Sequence, residues 1–397
     1  MAFLRHGCAV STVCPPGHPL RFVTGIASIH PYRGLSPTGS LQAAIREAKP
    51  TLIVPCDDAT VWQLYALHAS EPDLQPLIEY SLGSPHAYPA IQRRAEVLQT
   101  AKSLGIRVPF TRTLNSPEEL TNWQFDTPAV LKLDGTWGGE GVSVVRSLSE
   151  ATNGFHAARK AMKASVAWKR FVINRHAFAL WLWKRRKASE ITIQEFIPGR
   201  PATTMFACWK GEVLASTAVE VLASQGPTGA ASVVKVIQNR EIEEAVRLLA
   251  DKFQLNGLHG LDFILEENTD AAYLLEINPR ATQLGHLNLS PNGDLAGVMA
   301  AKLQNQTLPL VTAQHHARDN IVAFFPYTYK SNPNSPYLKQ AYHDVPWEEP
   351  ALIRELVNDD SWPERQWVSR IYHYFRSWKQ PASEPKFFQQ ANSKLQS

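Results

Sequence analysis

Residues 258–280 carry the side chains of this sequence that are best suited to chemistry. Two apolar runs there flank a polar tip at 266–271, a pattern that predicts a β-hairpin. Side chains alternate between the two faces of a strand, so if the hairpin closes about Thr269, Asp262 lies opposite Glu276. Two carboxylates would then face each other on one otherwise apolar face of a sheet.

The same face is expected to carry Leu274, Glu276 and Asn278, which alternate along the second strand. Facing carboxylates repel each other unless a cation lies between them. Their oxygens suit Mg²⁺, which usually takes one or two carboxylates together with phosphate oxygens. Pro279 ends the strand because it lacks a backbone donor, and Arg280 then supplies a fixed cation suited to phosphate. An exposed hairpin with ordinary surface acids is the alternative.

A second motif lies at 128–146, where two predicted strands bracket a loop with four glycines. Glycines let backbone N–H groups turn inward and cradle phosphate oxygens, and Lys132 on the preceding strand can reach the same phosphates. The loop is neither a Walker loop nor a dinucleotide fingerprint, because no Gly-Lys-Ser/Thr follows it and a strand comes next. A glycine-rich hairpin with a solvated lysine is the alternative. The four glycines are Gly135, Gly138, Gly139 and Gly141.

Composition places the chain among ordinary globular proteins. It has 397 residues, of which 44% are hydrophobic and 19% charged, and this length favours two or three domains. No apolar run is long enough to span a membrane, and the first residues do not form a secretory signal. The net charge of +4 is too small for this length to indicate nucleic-acid binding.

The four cysteines form no Cys-x-x-Cys pair, which favours reduced thiols in a cytoplasmic protein over disulfides or a zinc site. They are Cys8, Cys14, Cys56 and Cys208.

The first ninety residues are typical of an α/β unit. A buried strand is predicted at 51–55. Asp57 and Asp58 follow its carboxyl end, which is where α/β proteins usually bind ligands. The favoured interpretation of these two acids is nevertheless a helix N-cap. A helix with an apolar stripe is predicted at 90–104.

Residues 168–187 interleave basic with aromatic residues. Such a segment can bind nucleic acid or lie on a membrane surface, but a solvated helix packed on its own domain is the favoured interpretation.

The order of these parts resembles the ATP-grasp superfamily, in the branch near carboxylate–amine ligases and carbamoyl-phosphate-synthetase-like chains. The resemblance implies a mixed α+β and α/β chain, in which two α+β subdomains clasp ATP. An abbreviated Rossmann-like domain precedes them and a C-terminal extension follows. The expected boundaries are 1–89 for the first domain, 90–190 for the small subdomain with its insertion 168–187, 191–312 for the subdomain with the metal site, and 313–397 for the extension.

The resemblance also implies an ATP site. Arg94 matches the first ATP-binding cation of the family, and Lys132 matches the second. Pro201 stands where family members often have a glutamate that holds the ribose hydroxyls. The other implied ATP contacts are the loop glycines and the adenine hinge, namely Gly138, Gly139, Gly141, Gln194, Glu195, Phe196 and Ile197.

The implied metal ligands are Asp262, Glu276 and Asn278, which would hold two Mg²⁺ ions that Mn²⁺ can replace. Arg280 matches the residue that steadies the transferred phosphoryl group or the acyl phosphate, and with Lys132 it forms the implied catalytic pair.

The implied activity is ATP-dependent ligation of a carboxylate to an amine through an acyl phosphate, with release of ADP and phosphate. The expected partners are small-molecule substrates, with amino acids among the candidates, and neither nucleic acid nor membrane. A homodimer is compatible with the sequence. Three alternatives stay open: a phosphotransferase acting on a hydroxyl, a catalytically silent ATP-binding module, and a nucleic-acid or membrane binder acting through 168–187.

Overall fold

The computed structural model describes residues 1–135, 141–161, 183, 189–226, 229–290, 293–306 and 320–358. Within these residues the strands form a two-stranded, a four-stranded and a seven-stranded sheet, which agrees with the predicted mixture of helices and sheets. No helix in this part of the chain is long and apolar enough to cross a membrane. The segment 168–187, apart from Trp183, lies outside the described residues, and so do Gly138 and Gly139.

The N-terminal region contains a parallel pair of strands, β1 (Ser11–Cys14) and β2 (Ser28–Pro31). Its second helix buries Leu41, Ala44 and Ile45, because residues three and four apart share one face of a helix. The helices of this region are α1 (Ala2–Arg5), α2 (Pro37–Ala48), α3 (Asp58–Ser70), α4 (Gln75–Leu82) and α5 (Tyr88–Ile91), with 3₁₀ turns at Pro19–Phe22, Pro72–Leu74 and Pro85–Ala87.

The strand predicted at 51–55 is wrong, because this segment pairs with none of the strands that the structure describes. Its backbone groups find other partners. The N–H of Ile53 donates to the Ser81 hydroxyl at 2.9 Å, and the carbonyl of Pro55 accepts from the N–H of Ala281 at 2.9 Å. The segment therefore ties the N-terminal region to the loop that follows Arg280.

The four-stranded sheet is antiparallel, in the order β3–β6–β4–β5. Ala129, Leu131 and Leu133 enter its core, so Val130 and Lys132 face the opposite side. The helix predicted at 90–104 begins at Arg94, because Arg93 is extended (φ −117°, ψ 108°). The elements are α6 (Arg94–Ser103), β3 (Thr111–Leu114), a 3₁₀ helix (Pro117–Asn122), β4 (Ala129–Leu133), β5 (Val142–Val145), α7 (Leu148–Ala161) and β6 (Ile191–Glu195).

The seven-stranded sheet has the order β11–β10–β7–β8–β9–β12–β13. Successive residues of β7 point to opposite faces. Phe206 accordingly packs with α8 on one face, and Met205 packs with α9 on the other. The elements are β7 (Gly199–Trp209), β8 (Glu212–Ser224), β9 (Ala231–Ile237), α8 (Arg240–Phe253), β10 (Gly257–Glu266), β11 (Ala272–Asn278) and α9 (Leu295–Leu303).

Residues 320–358 extend this sheet at its far edge. β12 (Ile321–Ala323) pairs antiparallel with β9, and β13 (Tyr342–His343) pairs parallel with β12. The short helices of this part are α10 (Tyr327–Ser331), α11 (Tyr337–Gln340) and α12 (Pro350–Val357). The described part of the C-terminal extension is thus packed on the core.

The predicted hairpin forms from β10 and β11, and Asp262 lies opposite Glu276 as expected. The register then shifts by one residue, because Phe263 pairs with Leu274 and leaves Leu275 as a β-bulge. The prediction that Leu274 shares a face with Glu276 is therefore wrong. Leu274 is fully buried in the core with Phe263, whereas Glu276 lines the cleft between the sheets.

Candidate active site

A cleft of about 840 Å³ lies between the two larger sheets and the N-terminal region. Every predicted site residue that the structure describes lines it, except Gly141. The carbonyl of Gly141 instead accepts from the N–H of Leu133 at 3.0 Å. The structure thus brings together Arg94, Lys132, Gln194, Glu195, Phe196, Ile197, Asp262, Glu276, Asn278 and Arg280.

The acid pair stands on facing positions of β10 and β11, next to the bulge. Burial raises the pKa of Asp262, and the neighbouring charge of Glu276 raises it further, to about 6. A hydrogen bond from Thr203 and one from Asn278 Nδ2, at 2.9 Å, partly offset this rise. Two carboxylates are therefore held close together at a cost that a cation would relieve.

Glu276 is the member of the pair whose pKa is lowered. Burial disfavours its ionisation, but the positive charges of Arg94 and Lys132 prevail and lower its pKa. Arg94 Nη2 donates to Glu276 Oε2 at 2.7 Å. The Glu276 side chain keeps 36% of its surface exposed, towards the cleft, and so remains accessible to a ligand.

Arg94 is clamped between two carboxylates at the start of α6. Besides Glu276, it contacts Asp134, which accepts from Arg94 Nη1 at 3.1 Å and from its backbone N–H at 3.3 Å. The buried Nε of Arg94 has no hydrogen-bond partner among the described residues. Asp134 was not predicted as a site residue, although its place directly after the strand that carries Lys132 was a usable signal.

Lys132 has no such clamp. Its side chain is buried, and among the described residues it makes neither a hydrogen bond nor an ion pair. Burial and then the charge of Arg94 lower the pKa of Lys132 to about 8, against the pull of Glu276, Asp262 and Asp134. A desolvated cation on a cleft wall favours an anionic ligand.

The predicted adenine hinge lies at the end of β6. Gln194 is 1% exposed, and its Nε2 donates to the Thr111 hydroxyl at 3.0 Å. The N–H of Glu195 donates to the Phe110 carbonyl at 2.8 Å, and its carboxylate accepts from the Phe110 N–H at 3.2 Å. These bonds fix the hinge against β3, and Ile197 lies at the cleft with a buried side chain.

Arg280 is held from two sides just past the end of β11. Its Nε donates to Asp58 Oδ2 at 2.9 Å, and its Nη2 donates to Asn278 Oδ1 at 3.1 Å. The helix-cap interpretation is confirmed for Asp57, which accepts from the N–H of Thr60 at 2.7 Å. It is wrong for Asp58, which points to the site instead.

The donor set at the acid pair fits magnesium. In the described part of the chain, no three histidine, cysteine or acidic side chains are grouped to hold a metal ion, and all four cysteines are free thiols. The candidate metal ligands in the cleft are therefore the carboxylates of Asp262 and Glu276 and the amide of Asn278. Such a set is what Mg²⁺ uses when phosphate oxygens complete its coordination.

Comparison with known proteins gives a family match and a set of structural neighbours. The family model described as an ATP-grasp domain matches residues 170–283. No curated protein shows a significant sequence match.

A dimer of the biotin carboxylase domain of the Hydrogenobacter thermophilus 2-oxoglutarate carboxylase, with MgADP, ADP and bicarbonate, has a similar structure (TM-score 0.56, 14% identity). That match spans 77% of this chain and 66%, just under two thirds, of the other.

N5-carboxyaminoimidazole synthetase from Staphylococcus aureus has a TM-score of 0.53 at 14% identity, over 78% of this chain and 74% of the other. The Aspergillus clavatus synthase with ADP and 5-aminoimidazole ribonucleotide has a TM-score of 0.54 at 16% identity, over 78% and 75%. At these identities the neighbours show a shared fold. Together with the domain match over residues 170–283, these neighbours show that the chain has an ATP-grasp fold.

Proposed function

We propose that this protein is an ATP-dependent ligase that joins a carboxylate to an amine through an acyl phosphate and releases ADP and phosphate. The observation that carries the proposal is the meeting, in one cleft, of a paired-carboxylate site and three cations from distant parts of the chain. The neighbours with ADP in their structures support a nucleotide in the same cleft.

In this proposal the adenine lies against the hinge at 194–197, and the phosphates extend towards Lys132 and Arg94. Lys132 is the cation with no internal counter-ion contact among the described residues, so it is the natural partner of an incoming phosphate oxygen. Arg94, already bound to Glu276, places positive charge beside the same site.

Asp262, Glu276 and Asn278 would hold the magnesium that accompanies ATP. When bound, the ion supplies charge neutralisation at the terminal phosphate oxygens. The chain itself supplies the fixed positive charges around these oxygens, which is the main catalytic device in phosphoryl transfer.

The reaction proceeds in two displacements. A carboxylate oxygen of the substrate attacks the γ-phosphorus, the bond to the β–γ bridging oxygen breaks, and ADP leaves. The amine then attacks the carbonyl carbon of the acyl phosphate, loses a proton and expels inorganic phosphate, giving an amide. Arg280 steadies the phosphoryl group in both steps, and the protein needs no nucleophile of its own.

The substrates are proposed as small molecules. Bicarbonate belongs in the panel of carboxylates because one structural neighbour was solved with that anion, and amino acids belong in the panels of both carboxylates and amines.

The test is incubation with ATP, Mg²⁺ and pairwise combinations of these compounds, followed by quantification of nucleotides and mass analysis of products. We expect ADP and phosphate to form only when a carboxylate and an amine are both present, together with an amide whose mass is that of the acid and the amine combined, less the mass of water. Formation of AMP and pyrophosphate would contradict the acyl-phosphate route. A stable phosphorylated product without any need for an amine would indicate a phosphotransferase instead.

A further inference from the structure

One face of α3, a helix of the N-terminal region, contacts two parts of the candidate site: Arg280 after β11, and Gly135 at the start of the glycine loop. Asp58 and Trp62 are four residues apart and therefore neighbours on that face, and both line the cleft. Asp58 binds Arg280 beyond the end of β11. The Trp62 ring lies against Gly135 at the start of the glycine loop, where a Cβ would come within 2.4 Å of the ring.

The contacts of Arg280 show what Asp58 does there. Asp58 accepts a hydrogen bond from Arg280 Nε, and Asn278 accepts one from Arg280 Nη2. The two acceptors together fix the plane of the guanidinium. Among the described residues, the one hydrogen-bond contact of Nη1 is with the carbonyl of Ala281, at 3.4 Å. An arginine fixed in this way presents its remaining N–H groups in one direction, which is how bidentate recognition of phosphate is achieved.

The other acids that line the cleft have different partners. Asp134 binds Arg94, Glu195 accepts from the backbone of Phe110, and Asp262 and Glu276 form the proposed metal pair. Among the described residues, Asp58 is therefore the single carboxylate in contact with Arg280. The ion pair lies on the cleft wall, with side chains 21% and 23% exposed, rather than in the core.

We infer that Asp58 is a positioning residue, through which the N-terminal region aims the Arg280 guanidinium at the phosphoryl group. This inference rests on the proposed function, since it assigns Arg280 to that group. It makes the N-terminal region part of the active site. Its control lies next to it in the sequence, because Asp57 caps the same helix without touching Arg280.

The test uses inorganic phosphate as a probe of the Arg280 end and MgADP as a probe of the rest of the site. In calorimetric titrations we expect Asp58→Asn to weaken phosphate binding to the MgADP-loaded protein about tenfold, the loss typical of one charge-assisted hydrogen bond. MgADP affinity and the melting temperature should stay at the wild-type values. Asp57→Asn should change neither affinity, and Asp58→Glu, which keeps the charge, should restore part of the phosphate binding.

The double variant decides whether Asp58 acts through Arg280. If it does, Asp58→Asn causes no further loss of phosphate binding in an Arg280→Gln background. Additive losses, or a loss of MgADP affinity together with stability in Asp58→Asn, would overturn the inference. A wild-type protein that does not bind MgADP would instead overturn the proposed function.

Discussion

The three cations of the cleft differ in how they are held. Arg94 is bound by two carboxylates and Arg280 by one carboxylate and one amide, whereas Lys132 has no such contact among the described residues. Glu276 serves both Arg94 and the proposed metal site. Metal binding would therefore have to share or displace the Arg94–Glu276 contact, which would couple the metal to Arg94, the proposed first ATP-binding cation.

Replacing Glu276 tests this arrangement. We expect Glu276→Gln to abolish ADP formation, because the amide removes the charge of the proposed metal ligand and the anionic partner of Arg94. The change also relieves the repulsion on Asp262, so the two effects on stability oppose each other and the fold should stay intact. Turnover and far-UV circular dichroism measure the two outcomes.

The control for this variant is Glu267→Gln, an exposed position at the tip of the same hairpin, which should retain full activity. Retention of activity by Glu276→Gln would refute the metal role of Glu276.

At the residue scale, the sequence predicted those contacts that follow from a local pattern of residues. Strand alternation and a polar tip were enough to pair Asp262 with Glu276. The partners of the arginines were missed, because Arg94–Asp134 and Arg280–Asp58 join positions 40 and 222 residues apart. No periodicity encodes a side-chain contact over such a distance.

At the scale of elements, the bulge at Leu275 decides which side chains face the cleft. It turns Leu274 into the core and keeps Glu276 outward. A bulge depends on packing against neighbouring elements, so a pattern of apolar residues could not reveal it. The wrong strand prediction at 51–55 also reflects packing. Its apolar residues pack against the core, but the segment is paired with none of the described strands.

The hinge glycine offers a test of an element boundary. Gly199 begins β7 shortly after the proposed adenine hinge at 194–197 and pairs with Glu266 on β10. A Cβ there would lie 2.1 Å from the carbonyl oxygen of Leu265, so the two backbones must separate. We expect Gly199→Ala to lower the free energy of unfolding by about 3 kcal/mol, the upper range for overpacking, and to weaken nucleotide binding.

Gly105→Ala adds the same methyl group where no atom lies within 4 Å, although φ is +81°. It should cost only the strain of the left-handed backbone, about 1 kcal/mol. Chemical denaturation measures both variants, and equal losses would show that the contact with Leu265 is not what requires glycine at position 199.

At the scale of the whole molecule, the C-terminal segment 320–358 contacts both the seven-stranded sheet and the N-terminal region. β12 adds to the sheet beside β9, and Phe324 of the same segment lines the cleft. The buried Glu349 accepts from the N–H and the hydroxyl of Thr24, at 2.8 and 2.9 Å, across 325 residues of sequence. These contacts join the C-terminal extension to the N-terminal region, which the sequence did not predict.

The contact between Glu349 and Thr24 predicts that Glu349 contributes to global stability, although it lies far in sequence from the candidate site residues. Glu349→Ala removes two charge-assisted hydrogen bonds from a buried carboxylate, and we expect a loss of about 2 kcal/mol in the free energy of unfolding. Glu348→Ala is the matched control, because the Glu348 side chain is 53% exposed and its one ion pair within the described part of the chain is a 4.0 Å contact with Arg5, which is worth little. In thermal and denaturant unfolding, Glu349→Ala should be clearly less stable than Glu348→Ala. Equal stabilities would mean that the extension rests on the sheet alone and that the N-terminal region is positioned without it.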